Sequence, residues 1–342
     1  MNADDLTATA LAMVASGKGI LAVDESVGTC TKRFEAAGIE STPESRGAYR
    51  EMLFTAPGLG DYVSGAILYD ETIRQQTEVG TPLVNVLNAA GIIPGIKVDA
   101  GTKPLALAPG ETVTEGLDGL RGRLEEYRVM GARFAKWRAV IRIGAGLPSR
   151  NGIEVNAHSL ARYAALAQEA GLVPIVEPEV LMDGDHGIKR CEEVTSEVLG
   201  CVFEQLAAQR CLLEGMVLKP NMITAGSAAS APADADEIAE RTLDTLRRGV
   251  PSVVPGIAFL SGGQSGEGAC ANLNAMVRLG EVPWELTFSF GRALQYPALE
   301  IWSGDAANAP AAQAALLHRA RMSSLARCGE YSAEAERSAP AT

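Results

Sequence analysis

Histidines, paired cysteines, positive charge and long apolar runs are what this chain has least of. Its three histidines, His158, His186 and His318, are too few and too dispersed for a histidine-rich metal centre. The six cysteines (Cys30, Cys191, Cys201, Cys211, Cys270, Cys328) form no C-x-x-C pair, so buried free thiols are expected in place of zinc or disulfides. Acidic residues outnumber basic ones 42 to 30, for a formal net charge of −12. With no extended basic patch, this argues against a nucleic-acid partner. Anionic small substrates stay open, because a phosphate needs only a few local cations and amides. No apolar run approaches the roughly 20 residues of a membrane span, so no membrane partner is expected. Asp4 and Asp5 precede the first basic residue, Lys18, which is not the layout of a secretory signal. A cytoplasmic location is the expectation.

Apolar residues at 47% and charged residues at 21% describe a globular chain, and 342 residues suffice for one α/β barrel with extensions or for two ordinary domains. Eight short apolar runs alternate with helical patterns. They lie at Gly19–Glu25, Ser64–Asp70, Gly91–Asp99, Arg133–Ile143, Leu172–Glu179, Leu213–Asn221, Gly256–Gly263 and Trp284–Gly291. Polar residues gather late in most of them. Gly101 to Thr112 reads as loop, and helices are expected over Glu115 to Met130, Asn156 to Ala170, Ile188 to Gln209, Ala235 to Arg248 and Glu267 to Leu279. This order is that of a parallel (β/α)8 barrel, with a doubly wound open sheet as the rival. Charged and phosphate-friendly residues at strand ends favour the barrel, which assembles its site there. No fixed-period repeat or linker divides the chain. One domain over residues 1–328, with extra terminal helices, and a mobile tail over 329–342 are expected.

Lys219 is the residue that most needs explaining. It stands at the end of Leu213-Glu-Gly-Met-Val-Leu-Lys219-Pro-Asn221, an apolar stretch in which desolvation would lower an ammonium pKa from about 10.4. A neutral amine there can attack a carbonyl. The plainer alternative is a lysine that snorkels or pairs with a carboxylate. In a closed barrel, Asp24, Lys97, Lys136, Arg138, Glu177, Lys219 and Arg292 would meet at one rim. Period two puts Phe134, Lys136 and Arg138 on one strand face and Ile175, Glu177 and Glu179 on another. Lys136 would add like-charge repulsion at Lys219, and Glu177 could move protons if its pKa were raised. The Ser261-Gly262-Gly263 turn and the helix opening at Arg292 suit a phosphate.

These residues resemble the class I, Schiff-base-forming fructose-bisphosphate aldolases. The specific segments are Gly95-Ile-Lys97-Val-Asp99, Phe134-Ala-Lys136-Trp-Arg138, Val176-Glu177-Pro-Glu179, the Lys219 stretch, Phe259-Leu-Ser261-Gly-Gly-Gln264 and Ser289-Phe-Gly-Arg292. The resemblance implies a (β/α)8 barrel, a homotetramer, sugar-phosphate substrates, no cofactor and no metal. It casts Lys219 as the nucleophile that forms the imine with the C2 ketone of fructose 1,6-bisphosphate and Glu177 as the principal acid/base. Asp24 and Lys136 would position substrate and assist, with Glu179 supporting their charge network. Ser261, Gly262, Gly291 and Arg292 would hold the C1 phosphate, Ser26, Thr29, Arg33, Lys97 and Arg138 would lie at the C6 phosphate, and Ser289 would also bind substrate. The family commonly has serine where this chain has Thr29. Animal members also end in a tyrosine that assists proton transfer at C3; here the last tyrosine is Tyr331 and the chain ends Ser338-Ala-Pro-Ala-Thr342. A binding or assembly protein on the same barrel is the competing reading, opposed by Lys219, Glu177, Lys136 and Asp24 all being present. A metal-dependent aldolase is disfavoured by the scarcity of histidine.

Overall fold

A computed structural model describes residues 2–338. Ten strands are seen among them: β1 (Gly19–Ala22), β2 (Val63–Leu68), β3 (Ile93–Lys97), β4 (Thr102–Pro104), β5 (Thr112–Thr114), β6 (Phe134–Ile141), β7 (Val173–Val180), β8 (Val217–Leu218), β9 (Gly256–Phe259) and β10 (Glu285–Phe290). Eight of them close a parallel barrel in the order β1-β2-β3-β6-β7-β8-β9-β10. The ring is closed because β1 pairs with β2 on one side and β10 on the other. That excludes the open sheet.

The helices are α1 (Ala3–Met13), α2 (Val27–Ala36), α3 (Pro43–Phe54), α4 (Asp70–Arg74), α5 (Leu83–Ala89), α6 (Leu120–Val129), α7 (Arg150–Glu169), α8 (Ile188–Ala208), α9 (Ala235–Gly249), α10 (Gly266–Arg278), α11 (Arg292–Trp302), α12 (Ala309–Arg327) and α13 (Ala333–Arg337). Local chemistry sets several starts. Ser26, Ser149, Asp234 and Ser265 each accept a backbone N–H as N-cap, and Thr42 and Ser45 form a capping box ahead of α3.

Two apolar layers result. The outward strand face packs on the helices: Trp137 stacks on Tyr163 of α7 with ring centroids 5.6 Å apart. Inside the barrel, Ile20, Ile67, Phe134, Val173, Ile175, Val217 and Ala258 form a dry lower half, and Leu6, Ala10, Met13 and Val14 of the α1 segment close it from below. Phe134 fits because Gly95 and Gly65 face it; a Cβ on Gly95 would stand 2.1 Å from its ring. Period two then lifts Lys136 and Arg138 above Phe134, and Glu177 and Glu179 above Ile175. The polar upper half of the barrel is therefore a consequence of strand alternation over an apolar plug.

Several expected boundaries move. The stretch read as loop contains the antiparallel β4–β5 hairpin, which lies outside the barrel. The helix expected from Glu115 begins at Leu120, because Gly116 and Gly119 sit at positive φ. The expected sixth strand is a 3-10 turn, Leu213–Gly215, followed by only two paired residues. All six cysteines are free, but burial is uneven: Cys30, Cys191 and Cys270 are buried, Cys201 and Cys211 half-buried, and Cys328 exposed. The segment expected as a tail carries α13, whose Glu336 bonds to Arg319 of α12. Residues 339–342 of that segment lie outside the described residues. No helix among the described residues is long and apolar enough to cross a membrane.

Candidate active site

The C-terminal ends of the barrel strands surround a cavity of about 740 Å³. Lys219 enters it one residue beyond β8. Its backbone N–H still donates to Val176 O at 2.8 Å, and Pro220, lacking an N–H, then turns the chain away. Asn221 pins that turn by accepting the Val180 N–H at 3.0 Å and donating to Thr195 Oγ1 at 3.2 Å.

Glu177 stands between two lysines. Its Oε1 is 3.3 Å from Lys219 Nζ and its Oε2 is 3.0 Å from Lys136 Nζ. The second contact is an ion pair whose angle misses hydrogen-bond geometry, which leaves Oε2 buried without an aligned donor. Lys136 also pairs, more closely, with Asp24 Oδ2 at 2.6 Å. All four side chains are at most 13% exposed. Such burial is tolerable only because each charge has an opposite neighbour.

The same neighbours set the protonation states. Burial would raise the Asp24 carboxyl, but Lys136, Lys219 and Lys97 outweigh it and hold it well below the ordinary range. Burial would likewise lower Lys136, yet Asp24, Glu177 and Asp99 raise it instead. For Glu177, burial pushes upward and Lys136, Lys219 and Arg138 pull further downward. The condition set from the sequence, a raised Glu177 carboxyl, is therefore not met: the three surrounding cations hold it below its ordinary value.

In the cavity wall, Lys97 Nζ pairs with Asp99 Oδ1 at 2.6 Å, and Arg138 pairs with Glu179. Ser26 caps α2 there, with its Oγ 3.1 Å from Thr29 Oγ1. Arg33 also lines the cavity, but it contacts Glu25, which Arg50 holds at 2.8 Å and Gln295 at 2.8 Å. Part of its charge is therefore already committed. Gly262 and Gly263 adopt positive φ (55° and 94°) in the turn after Ser261, and Ser261, Gly262, Gly291 and Arg292 line the same cavity. Arg292 opens α11, whose N-terminal amides lack a side-chain cap. Ser289 Oγ is buried there with no hydrogen-bond partner. A helix N-terminus, an unpaired hydroxyl and a cation are the groups that an anion site uses.

Every residue singled out from the sequence as catalytic or substrate-binding lines this one cavity. Sequence reading passed over Glu25, Lys32, Tyr69, Asp99 and Tyr296, which line it as well. Asp99 had a signal, the two-residue spacing from Lys97, and Tyr296 lies four residues after Arg292 on one helix face. Tyr69 had been hidden by Asp70, which faces away and is held by Arg74 and Tyr127. Seven cations line the cavity against five carboxylates, a local excess that favours an anionic ligand in an acidic molecule. Among the described residues, Lys32 and Arg292 make no ion pair with a carboxylate. A buried lysine beside a carboxylate, between two places that accept anions, can bind a ketone carrying phosphates and hold it against an amine.

Comparison with known proteins is consistent with this arrangement. The family model described as fructose-bisphosphate aldolase class-I matches residues 5–342. A probable fructose-bisphosphate aldolase class 1 from Xanthomonas campestris pv. campestris is 56% identical over 332 residues, covering 97% of this chain and 99% of that protein. The cytoplasmic isozyme 2 of fructose-bisphosphate aldolase from Pisum sativum is 53% identical, over 96% of this chain and 92% of its own length. Among solved structures, the Plasmodium falciparum fructose-bisphosphate aldolase in complex with TRAP and a small-molecule inhibitor superposes with a TM-score of 0.95. It shares 50% identity and covers 96% of each chain.

Proposed function

The chain belongs to the class I fructose-bisphosphate aldolase family, and from that premise we propose how its residues divide the family's reaction. That reaction is the reversible cleavage of fructose 1,6-bisphosphate to dihydroxyacetone phosphate and glyceraldehyde 3-phosphate, a carbon–carbon lyase step through a lysine Schiff base. The observation that carries the assignment is Glu177 bridging Lys219 and Lys136 at 3.3 and 3.0 Å within one buried cavity.

Lys219 gives up a proton and its Nζ attacks the C2 ketone. Loss of water leaves a protonated imine, into which the C3–C4 bonding electrons flow once the C4 hydroxyl is deprotonated. Glyceraldehyde 3-phosphate leaves; the enamine takes a proton at C3, and water returns the amine and releases dihydroxyacetone phosphate. Glu177 moves these protons. Arrival of the phosphates adds negative charge to a pocket where cations had depressed the Glu177 carboxyl, which shifts it upward toward the working range. Asp24 and Lys136 orient the hydroxyls and steady the charge, and Glu179 holds Arg138 in place. Ser261, Gly262, Ser289, Gly291 and Arg292 bind the C1 phosphate. Lys97, Arg138, Ser26, Thr29 and Arg33 bind at the C6 phosphate, with Arg33 turning away from Glu25 to do so.

The experiment that tests the scheme is incubation with dihydroxyacetone phosphate, reduction with borohydride and mass spectrometry of the peptides. The expected result is one adduct, on Lys219, absent in Lys219→Arg because a guanidinium stays protonated. An adduct elsewhere, or cleavage retained in that variant, removes Lys219 from the scheme. We further propose that the protein is a cytoplasmic homotetramer serving glycolysis and gluconeogenesis. Named cytosolic plant relatives support the compartment, and a dimer or monomer mass by light scattering would reject the assembly. Residues 1–328 are proposed as one domain.

A further inference from the structure

The carboxylate of Glu336 in α13 reaches back to α12, where it contacts Arg319 Nη1, lies 3.1 Å from His318 Nε2 and accepts the Tyr331 hydroxyl at 2.8 Å. Burial alone would raise this carboxyl, but the Arg319 and Tyr331 bonds outweigh it and hold it below its ordinary value. Arg319 is only 4% exposed. Its Nη2 approaches Cys270 Sγ at 3.4 Å, and its Nε is buried with no partner. The other nearby anion, Glu267, is 3.9 Å away on a side chain 60% exposed. Glu336 is therefore what compensates this buried cation.

What Arg319 leans against matters for the reaction. A Cβ on Gly266 would stand 3.0 Å from both Nε and Nη2 of Arg319 and 3.1 Å from Ala293 O. The guanidinium thus packs against the first residue of α10, where that residue also meets the carbonyl of the second residue of α11. Gly266 comes just after the Ser261-Gly262-Gly263 turn, with Gln264 and Ser265 between, and Ala293 directly follows Gly291-Arg292. We propose that Glu336 is a positioning residue for the C1-phosphate site: it holds Arg319 against Gly266, where α10 meets the start of α11, and so backs the turn that leads into α10. The inference rests on the reading above that these two elements hold that phosphate.

Without the carboxylate, the guanidinium would be drawn toward Glu267 or solvent, and the turn would lose its backing. Phosphate binding contributes alike to ground and transition states, so its loss raises KM and leaves kcat unchanged.

The experiment compares Glu336→Gln, Glu336→Asp and Arg292→Ala in the full chain. The readouts are KM and kcat for fructose 1,6-bisphosphate, the dihydroxyacetone phosphate concentration for half-maximal borohydride trapping, and Tm. For Glu336→Gln the expected result is a rise of about three- to tenfold in both KM and the trapping midpoint, with kcat within about twofold of the parent. Glu336→Asp, which keeps the charge, should recover part of the loss. A lower Tm with unchanged KM and trapping midpoint would make Glu336 merely structural and overturn the proposal. If Arg292→Ala weakens trapping and Glu336→Gln does not, the positioning role alone falls. Trapping unaffected by Arg292→Ala would take down the phosphate placement and this inference with it.

Discussion

Glu177 shows how one residue's chemistry depends on its neighbours. Two strand positions from Ile175 in the dry half of the barrel, it would be an expensive buried anion by itself. Lys136 and Lys219 make it affordable and fix its two oxygens in different tasks. Glu177→Gln keeps the shape and removes the proton acceptor. The expected outcome is a fall in kcat of about 10²- to 10⁴-fold, the usual worth of a positioned acid/base, with KM for fructose 1,6-bisphosphate little changed. Steady-state kinetics check it, and turnover within a factor of two would reject the role. The candidacy of Glu177 was legible from alternation along β7. Its depressed carboxyl was not, because the cations responsible, Lys136 and Arg138 on β6 and Lys219 just beyond β8, reach it only when those strands pair on either side of β7.

Among elements, the β3–β6 pair carries much of the site's precision. Gly95 faces Phe134 across the register, and the next inward layer places Lys97 beside Lys136. The missing side chain is what leaves room for the Phe134 ring beneath Lys97 and Lys136. In Gly95→Ala the new methyl would meet ring carbons at 2.1–2.2 Å, and a fully buried ring on rigid strands has little room to yield. Destabilisation of about 2 kcal/mol or more is expected from overpacking, read as a lower denaturant midpoint, together with reduced kcat as Lys136 is displaced. A midpoint equal to the parent's would show that the ring moves freely. The β4–β5 hairpin teaches the complementary lesson. Its strands are three residues long, and the intervening Pro and Gly residues gave no alternation to read; only antiparallel pairing after folding reveals them.

For the whole molecule, the buried charge cluster ties stability to pH. Asp24 and Glu177 have folded pKa values below their ordinary 3.8 and 4.5, so their contribution is full above those values and is lost as pH falls through the folded ones. Lys136 is raised above its ordinary 10.5, so its contribution is full below that value and is lost only in strong alkali. All three are present at neutral pH. The stability difference between the parent and Asp24→Asn should therefore be constant from pH 6 to 8 and shrink below about pH 3.8, measured by denaturant midpoints. A difference that persists unchanged into strong acid would contradict the cluster's role. The eight apolar runs, the alternation that segregates Phe134 from Lys136 and the capping residues were all local, so the linear chain alone determined the barrel class and which strand ends carry chemistry. Only the closed tertiary structure decided that Glu177 spans two lysines, that Arg33 is shared with Glu25, and that Glu336, on a helix beyond residue 329, pairs with the buried Arg319. Those are long-range pairings. Their energies depend on distance and burial in the folded molecule, which spacing along the chain does not encode.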